Sequence, residues 1–128
     1  MAESFALTEA TYYILLSLVK PRHGYGIMQL TEELSGGRVR LAAGTLYGAL
    51  NALSTKGWII QLPMVDESRR KEYRLTEKGL QVLQNEVARL RELADNGEKI
   101  LREDSSVHGI LQARILEWVA MLSSRGSS

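Results

Sequence analysis

Leu80, Leu83, Val87, Leu90, Ala94, Gly97 and Leu101 recur at alternating intervals of three and four residues, the spacing that lines up side chains in a single seam along a helix. An apolar seam needs cover, and a chain of 128 residues has few other elements to provide it. A second copy of the chain is the expected partner, with Leu80, Leu83, Val87, Leu90, Ala94 and Leu101 facing it. Thr76 can cap the start of this helix, and Asn96-Gly97 is expected to bend or end it, so the first five positions carry the seam.

Three shorter helices are expected upstream. Thr8 can cap a strongly apolar run from Ala10 to Val19, which Pro21 ends. After the turn His23-Gly24-Tyr25-Gly26, the segment Tyr25 to Leu34 repeats apolar residues at Ile27, Leu30 and Leu34 before Gly36-Gly37 closes it. The third, Thr45 to Lys56, places Leu46, Ala49, Leu50 and Leu53 on one face and stops at Gly57. Its other face offers Thr45, Tyr47, Gly48 and Asn51, all small or able to hydrogen-bond, and no acid. Trp58 to Leu62 is β-prone, Pro63 to Lys71 is turn-like, and Glu72 to Leu75 alternates polar with apolar residues, which together predict a hairpin.

Formal net charge is only +1, but it is unevenly spread. Lys20, Arg22, Arg38, Arg40, Lys56, Arg69, Arg70, Lys71 and Arg74 crowd the central stretch, against Glu32, Glu33, Asp66, Glu67 and Glu72. A local basic surface on a nearly neutral chain points to a polyanion. There is no cysteine, which excludes disulfides and thiolate chemistry. His23 has no metal-spaced partner, since the other histidine is His108. Lone acids such as Glu32, Glu33 and Glu86 are expected on helix surfaces without a nucleophile nearby, and no phosphate-loop, dinucleotide or serine-elbow motif occurs. The sequence therefore predicts no enzyme, cofactor or metal. With no apolar run of membrane-spanning length and no basic n-region of a signal peptide in MAESFALTEA, the expected location is the cytoplasm.

Three helices and then a hairpin with a basic tip is the order of a winged helix-turn-helix. The fold class expected is mainly α with a small β-hairpin wing, followed by a long C-terminal dimerisation helix. Boundaries are expected at 1–75 for the DNA-binding domain, 76–104 for the dimerisation helix and 105–128 for an extension. A helix can enter the major groove only if one face packs on its domain and the other is small and acid-free, as the third helix is. Period-two alternation at the tip would bring two of Arg69, Arg70 and Lys71 to the phosphates.

The chain resembles the PadR-type transcriptional regulators. The likeness rests on His23-Gly24-Tyr25-Gly26, on Gly44-Thr45-Leu46-Tyr47, on Leu53 to Ile59 and on Glu67 to Thr76 followed by Gly79, over about residues 5–104. It departs at Gly48, where many members have proline. The resemblance implies a homodimeric repressor that releases an operator in double-stranded DNA when a small hydrophobic effector binds. It also implies Gly44, Thr45, Tyr47 and Asn51 against DNA, Tyr25 near a phosphate, and Arg69, Arg70 and Lys71 as wing contacts. An effector would lie between the first and fourth helices, among Leu15, Val19, Leu83, Val87 and Leu90, and plain core is the competing reading of those residues. The competing function is a winged-helix module that meets an acidic protein and has no specific DNA target. From Ser105 onward, Leu111, Ile115, Trp118, Val119 and Leu122 make an amphipathic helix candidate. It is either a second C-terminal helix or a segment translated from repetitive or vector DNA, with Ser123 to Ser128 expected to be disordered.

Overall fold

A computed structural model describes residues 6–64 and 70–125. Helix α1 (Glu9–Ser17) starts where Thr8 Oγ1 accepts the Thr11 N–H at 3.1 Å. It stops two residues short of the end of the apolar run, with Leu18 as its C-cap, whose carbonyl accepts the Leu75 N–H at 2.9 Å. Val19 therefore lies beyond the helix and is exposed.

A strand the sequence does not announce follows, β1 (Arg22–His23). Helix α2 (Gly24–Leu34) leads to Gly36 and Gly37, both at positive φ, which turn the chain. Helix α3 (Ala43–Thr55) begins two residues before Thr45, with Ala42 as its cap. It ends on Gly57 at φ 76°, where the Trp58 N–H reaches the Leu53 carbonyl and the Gly57 N–H reaches that of Ser54. That left-handed closure needs glycine. Strands β2 (Ile59–Gln61) and β3 (Glu72–Leu75) form the wing's stem. The sheet is antiparallel in the order β1-β3-β2, with Arg22 opposite Tyr73 and Ile59 opposite Leu75.

The core gathers Ile14, Leu15 and Leu18 of the first helical segment, Ile27 of α2, Leu46, Leu50 and Leu53 of α3, Trp58, Ile59 and Tyr73 of the wing stem, and Leu83. Leu83 belongs to helix α4 (Glu77–Glu103). Thr76 locks its start by accepting the Gly79 N–H at 3.1 Å and donating to the Gly57 carbonyl at 2.6 Å. The helix passes through Asn96-Gly97 without interruption. One helical glycine costs about 1 kcal/mol, which a 27-residue helix absorbs.

The chain divides into two compact units, Met1–Ala88 and Arg89–Ser128. The first turns of α4 thus pack with the winged unit, beyond the 1–75 boundary expected for it. Glu86, expected on a surface, is instead only 3% exposed. Its carboxylate accepts the Leu7 N–H at 2.7 Å, and that charge-assisted bond offsets burial. In the second unit, Asp104 accepts from the N–H and hydroxyl of Ser106 at 2.9 and 2.6 Å, and α5 (Ser105–Arg125) follows. Ser123 to Arg125, expected in a disordered end, form its last turn, and residues 126–128 lie outside those described. The described side chains of α5 are all exposed, with Ile110, Leu116 and Met121 adding apolar surface beyond the expected stripe. No helix among the described residues is long and apolar enough to cross a membrane.

Candidate nucleic-acid interface

Helix α3 separates its two roles by spacing. Leu46, Leu50 and Leu53 are buried, while Gly44, Thr45, Tyr47, Gly48 and Asn51 are exposed. No acidic residue occurs in the helix, so this face carries nothing that repels a phosphate.

Beside it lies a concave site of about 660 Å³, lined by Arg22 to Gly26, Tyr47, Arg70 and Lys71. Three elements meet there. The turn into α2 brings His23, Gly24 and Tyr25, α3 brings Tyr47, and the wing brings Arg70 and Lys71. Tyr47 is 45% exposed and Tyr25 is 69% exposed, so both rings face outward. The Tyr25 hydroxyl accepts from Gln29 Nε2 at 3.2 Å, which leaves its own proton free for an anion. Arg69 and the rest of 65–69 lie outside the described residues. Thr45 and Asn51 are on the exposed face of α3 but do not line the hollow.

Arg22 was not singled out by the sequence as a site residue. Pairing of β1 with β3 carries it to the wing, and its Nε donates to the Ser17 carbonyl at 2.8 Å, which fixes the guanidinium at the rim. Electrostatics narrow the basic stretch further. Arg38 meets Glu9 at 2.6 Å, which raises its pKa through the hydrogen bond and the charge, and Arg40 meets Glu32 at 3.2 Å. Among the described residues, no carboxylate lies at ion-pair distance from Arg22, Arg70 or Lys71. The Tyr73 phenol, beneath this site, has its pKa raised by burial and, less strongly, by Tyr47.

The other predicted residues are more dispersed. Leu15 and Leu83 are core, which removes them from any open effector site and Leu83 from a partner-facing seam. Val19 is exposed past the end of α1, Val87 is half-buried, and Leu80, Leu90, Ala94 and Leu101 are exposed along α4. Leu93 and Ile100 are exposed on α4 as well. The strict three-four reading omitted them, although with Leu90, Ala94, Gly97 and Leu101 they form the wider stripe of a helix with 3.6 residues per turn. Among the described residues, no group of acids and histidines could hold a metal ion.

The profile of the transcriptional regulator PadR-like family matches residues 14–85, a span from α1 into α4 that includes the whole concave site. In fold, the chain is similar to a PadR family transcriptional regulator from Eggerthella lenta, at 28% identity, with 73% of this chain and 82% of that one covered and a TM-score of 0.59. It is also similar to a transcriptional regulator from Thermoplasma acidophilum, at 26% identity, 75% and 93% coverage and a TM-score of 0.57. A PadR family regulator from Clostridium difficile shares the fold at 24% identity, 73% and 99% coverage and a TM-score of 0.62. These structures are regulators rather than enzymes. No curated protein matches the chain in sequence.

Proposed function

The chain belongs to the transcriptional regulator PadR-like family of DNA-binding regulators, and from that premise we propose that it acts in the cytoplasm as a homodimeric repressor relieved by a small hydrophobic effector. Each copy sets the exposed face of α3 into a major groove, where the Asn51 amide can pair with an adenine edge and Thr45 and Tyr47 can donate to phosphate. Two copies related by a two-fold axis meet successive grooves about 34 Å apart on a pseudo-palindromic operator.

The observation that carries this reading is the meeting of Tyr25, Tyr47, Arg22, Arg70 and Lys71 around one concave site beside a helix face free of acids. Hydroxyls and guanidinium groups converging on a hollow suit a phosphate backbone, and they position the helix without reading bases.

The test is a mobility-shift titration on the DNA upstream of the chain's own gene. With about four phosphate contacts per copy, log K should fall against log salt with a slope near −7. Replacing Lys71 by Gln should make that slope shallower by about 2, one contact from each copy. Indifference of binding to DNA sequence and to Tyr47→Ala would overturn the reading in favour of a protein-binding module.

A further inference from the structure

The concave site at the wing is roomier than its proposed duplex contacts require. Its volume of about 660 Å³ falls within the range of whole small-molecule sites. A duplex offers such a site only the phosphates of its backbone and keeps its bases stacked out of reach. What a phosphodiester leaves unused is aromatic. Tyr25 is 69% exposed, and Gln29 Nε2, one turn on along α2, donates to its hydroxyl at 3.2 Å, so the ring is both open and held. An open aromatic face takes an unpaired base with little regard to which base it is.

The rest of the site suits more than one negative charge. Arg22, Arg70 and Lys71 line it, and no acid does. The Arg22 fork is anchored through Nε on the Ser17 carbonyl, which leaves both terminal nitrogens for phosphate oxygens. Helix α2 opens there with no acidic residue in its first turn and no side-chain cap, so its first amides add partial positive charge. The buried Nδ1 of His23, the capping residue, has no hydrogen-bond partner among the described residues. An aromatic face beside clustered cations and an uncapped helix start matches both halves of a nucleotide. We infer that this hollow binds a free nucleoside diphosphate, its base against Tyr25 and its phosphates among Arg22, Arg70, Lys71 and the start of α2.

Nucleotide binding stands without the DNA reading. Where duplex binds as proposed, the two ligands exclude each other, because Arg22, Lys71 and Tyr25 cannot meet both, and this exclusion alone rests on that reading.

The probe is ADP without added metal, titrated calorimetrically into the full chain beside pyrophosphate and adenosine. ADP should bind once per chain and about tenfold tighter than pyrophosphate, the advantage that one base on an aromatic ring supplies. Tyr25→Ala should erase that advantage and Tyr25→Phe should keep it, since the ring and not the hydroxyl holds the base. Arg22→Gln should weaken ADP and pyrophosphate together, by about tenfold. Pyrophosphate or adenosine binding as tightly as ADP overturns the inference, as does undiminished ADP binding in a doubly substituted Arg22→Gln, Lys71→Gln protein that still melts cooperatively. Tetradeoxyadenylate, whose similar charge is spread over phosphodiesters, should bind more weakly than ADP, and the reverse order assigns the hollow to an unpaired strand instead. Duplex should displace ADP, and duplex that binds while leaving ADP in place moves the nucleotide out of this hollow. Duplex binding without ADP binding removes this inference alone, and ADP binding without duplex binding removes the DNA reading alone.

Discussion

Gly24 and Tyr47 share a space too small for one more methyl group: a Cβ on Gly24 would stand 2.6 Å from the Tyr47 hydroxyl oxygen. The obstructing atom is the far end of an exposed side chain, so the fold can yield where the site cannot. Gly24→Ala should cost the fold no more than about 1 kcal/mol while displacing the Tyr47 ring. Its DNA affinity should fall toward that of Tyr47→Ala, measured by mobility shift beside thermal denaturation. Unchanged affinity would show that the Tyr47 position does not matter to binding.

The candidate interface was legible where it depended on periodicity. Leu46, Leu50 and Leu53 take up the buried stripe of α3, and the rotation of the helix leaves Tyr47 and Asn51 outside. It was not legible where it depended on pairing across the chain. Arg22 reaches the wing only because two residues pair with β3, and two residues have no period to detect. Glu86 reads as a surface acid because its partner, the Leu7 amide, lies 79 positions away. Arg38 reads as part of a basic surface until Glu9, 29 positions away, takes its charge.

Gly79 is required for a different reason from Gly24. A Cβ there would overlap the Trp58 carbonyl, which is backbone and is already bonded to the Thr76 N–H. Gly79→Ala must therefore push α4 off the wing stem, at a cost of about 3 kcal/mol. Gly48 is the counterpart, because a methyl group there meets nothing within 4 Å. Gly48→Ala should stabilise α3 by about 0.5–1 kcal/mol. Denaturant unfolding of the two variants should move the midpoint in opposite directions.

The Glu86 carboxylate ties the chain ahead of α1 to α4. Glu86→Ala leaves the Leu7 N–H without its acceptor in a partly buried place, which should cost about 1–3 kcal/mol. Glu86→Gln keeps an acceptor oxygen and should recover part of that loss. Hydrogen exchange at the Leu7 amide is the direct measure, and it should speed up most in the alanine variant.

Burial of Tyr73 makes an alkaline prediction. Its pKa is raised in the folded chain, first by burial and then by Tyr47, so the unfolded chain loses this proton first as pH rises. Tyr73 then costs nothing below about pH 10, the ordinary tyrosine value, and stability declines as pH climbs from there through the folded pKa. Tyr73→Phe should flatten that decline in urea unfolding followed between neutral and strongly alkaline pH. An equally steep fall in the variant would assign the alkaline sensitivity to another group.

Leu93 and Ile100 are exposed on the part of α4 that lies in the second compact unit, so acidic residues there should leave the winged unit folded. If a second copy covers this stripe, Leu93→Glu with Ile100→Glu places four carboxylates in one apolar seam, and desolvating them outweighs the contacts that remain. Sedimentation should then move from twice the chain mass to the single-chain mass. DNA binding supplies an independent reading. A lone copy reaches one half-site, so the salt slope should shrink from about −7 to about −3.5 as the phosphate contacts halve. A variant that sediments as one chain yet keeps the full slope would mean that contacts outside this helix bring the two copies together on DNA.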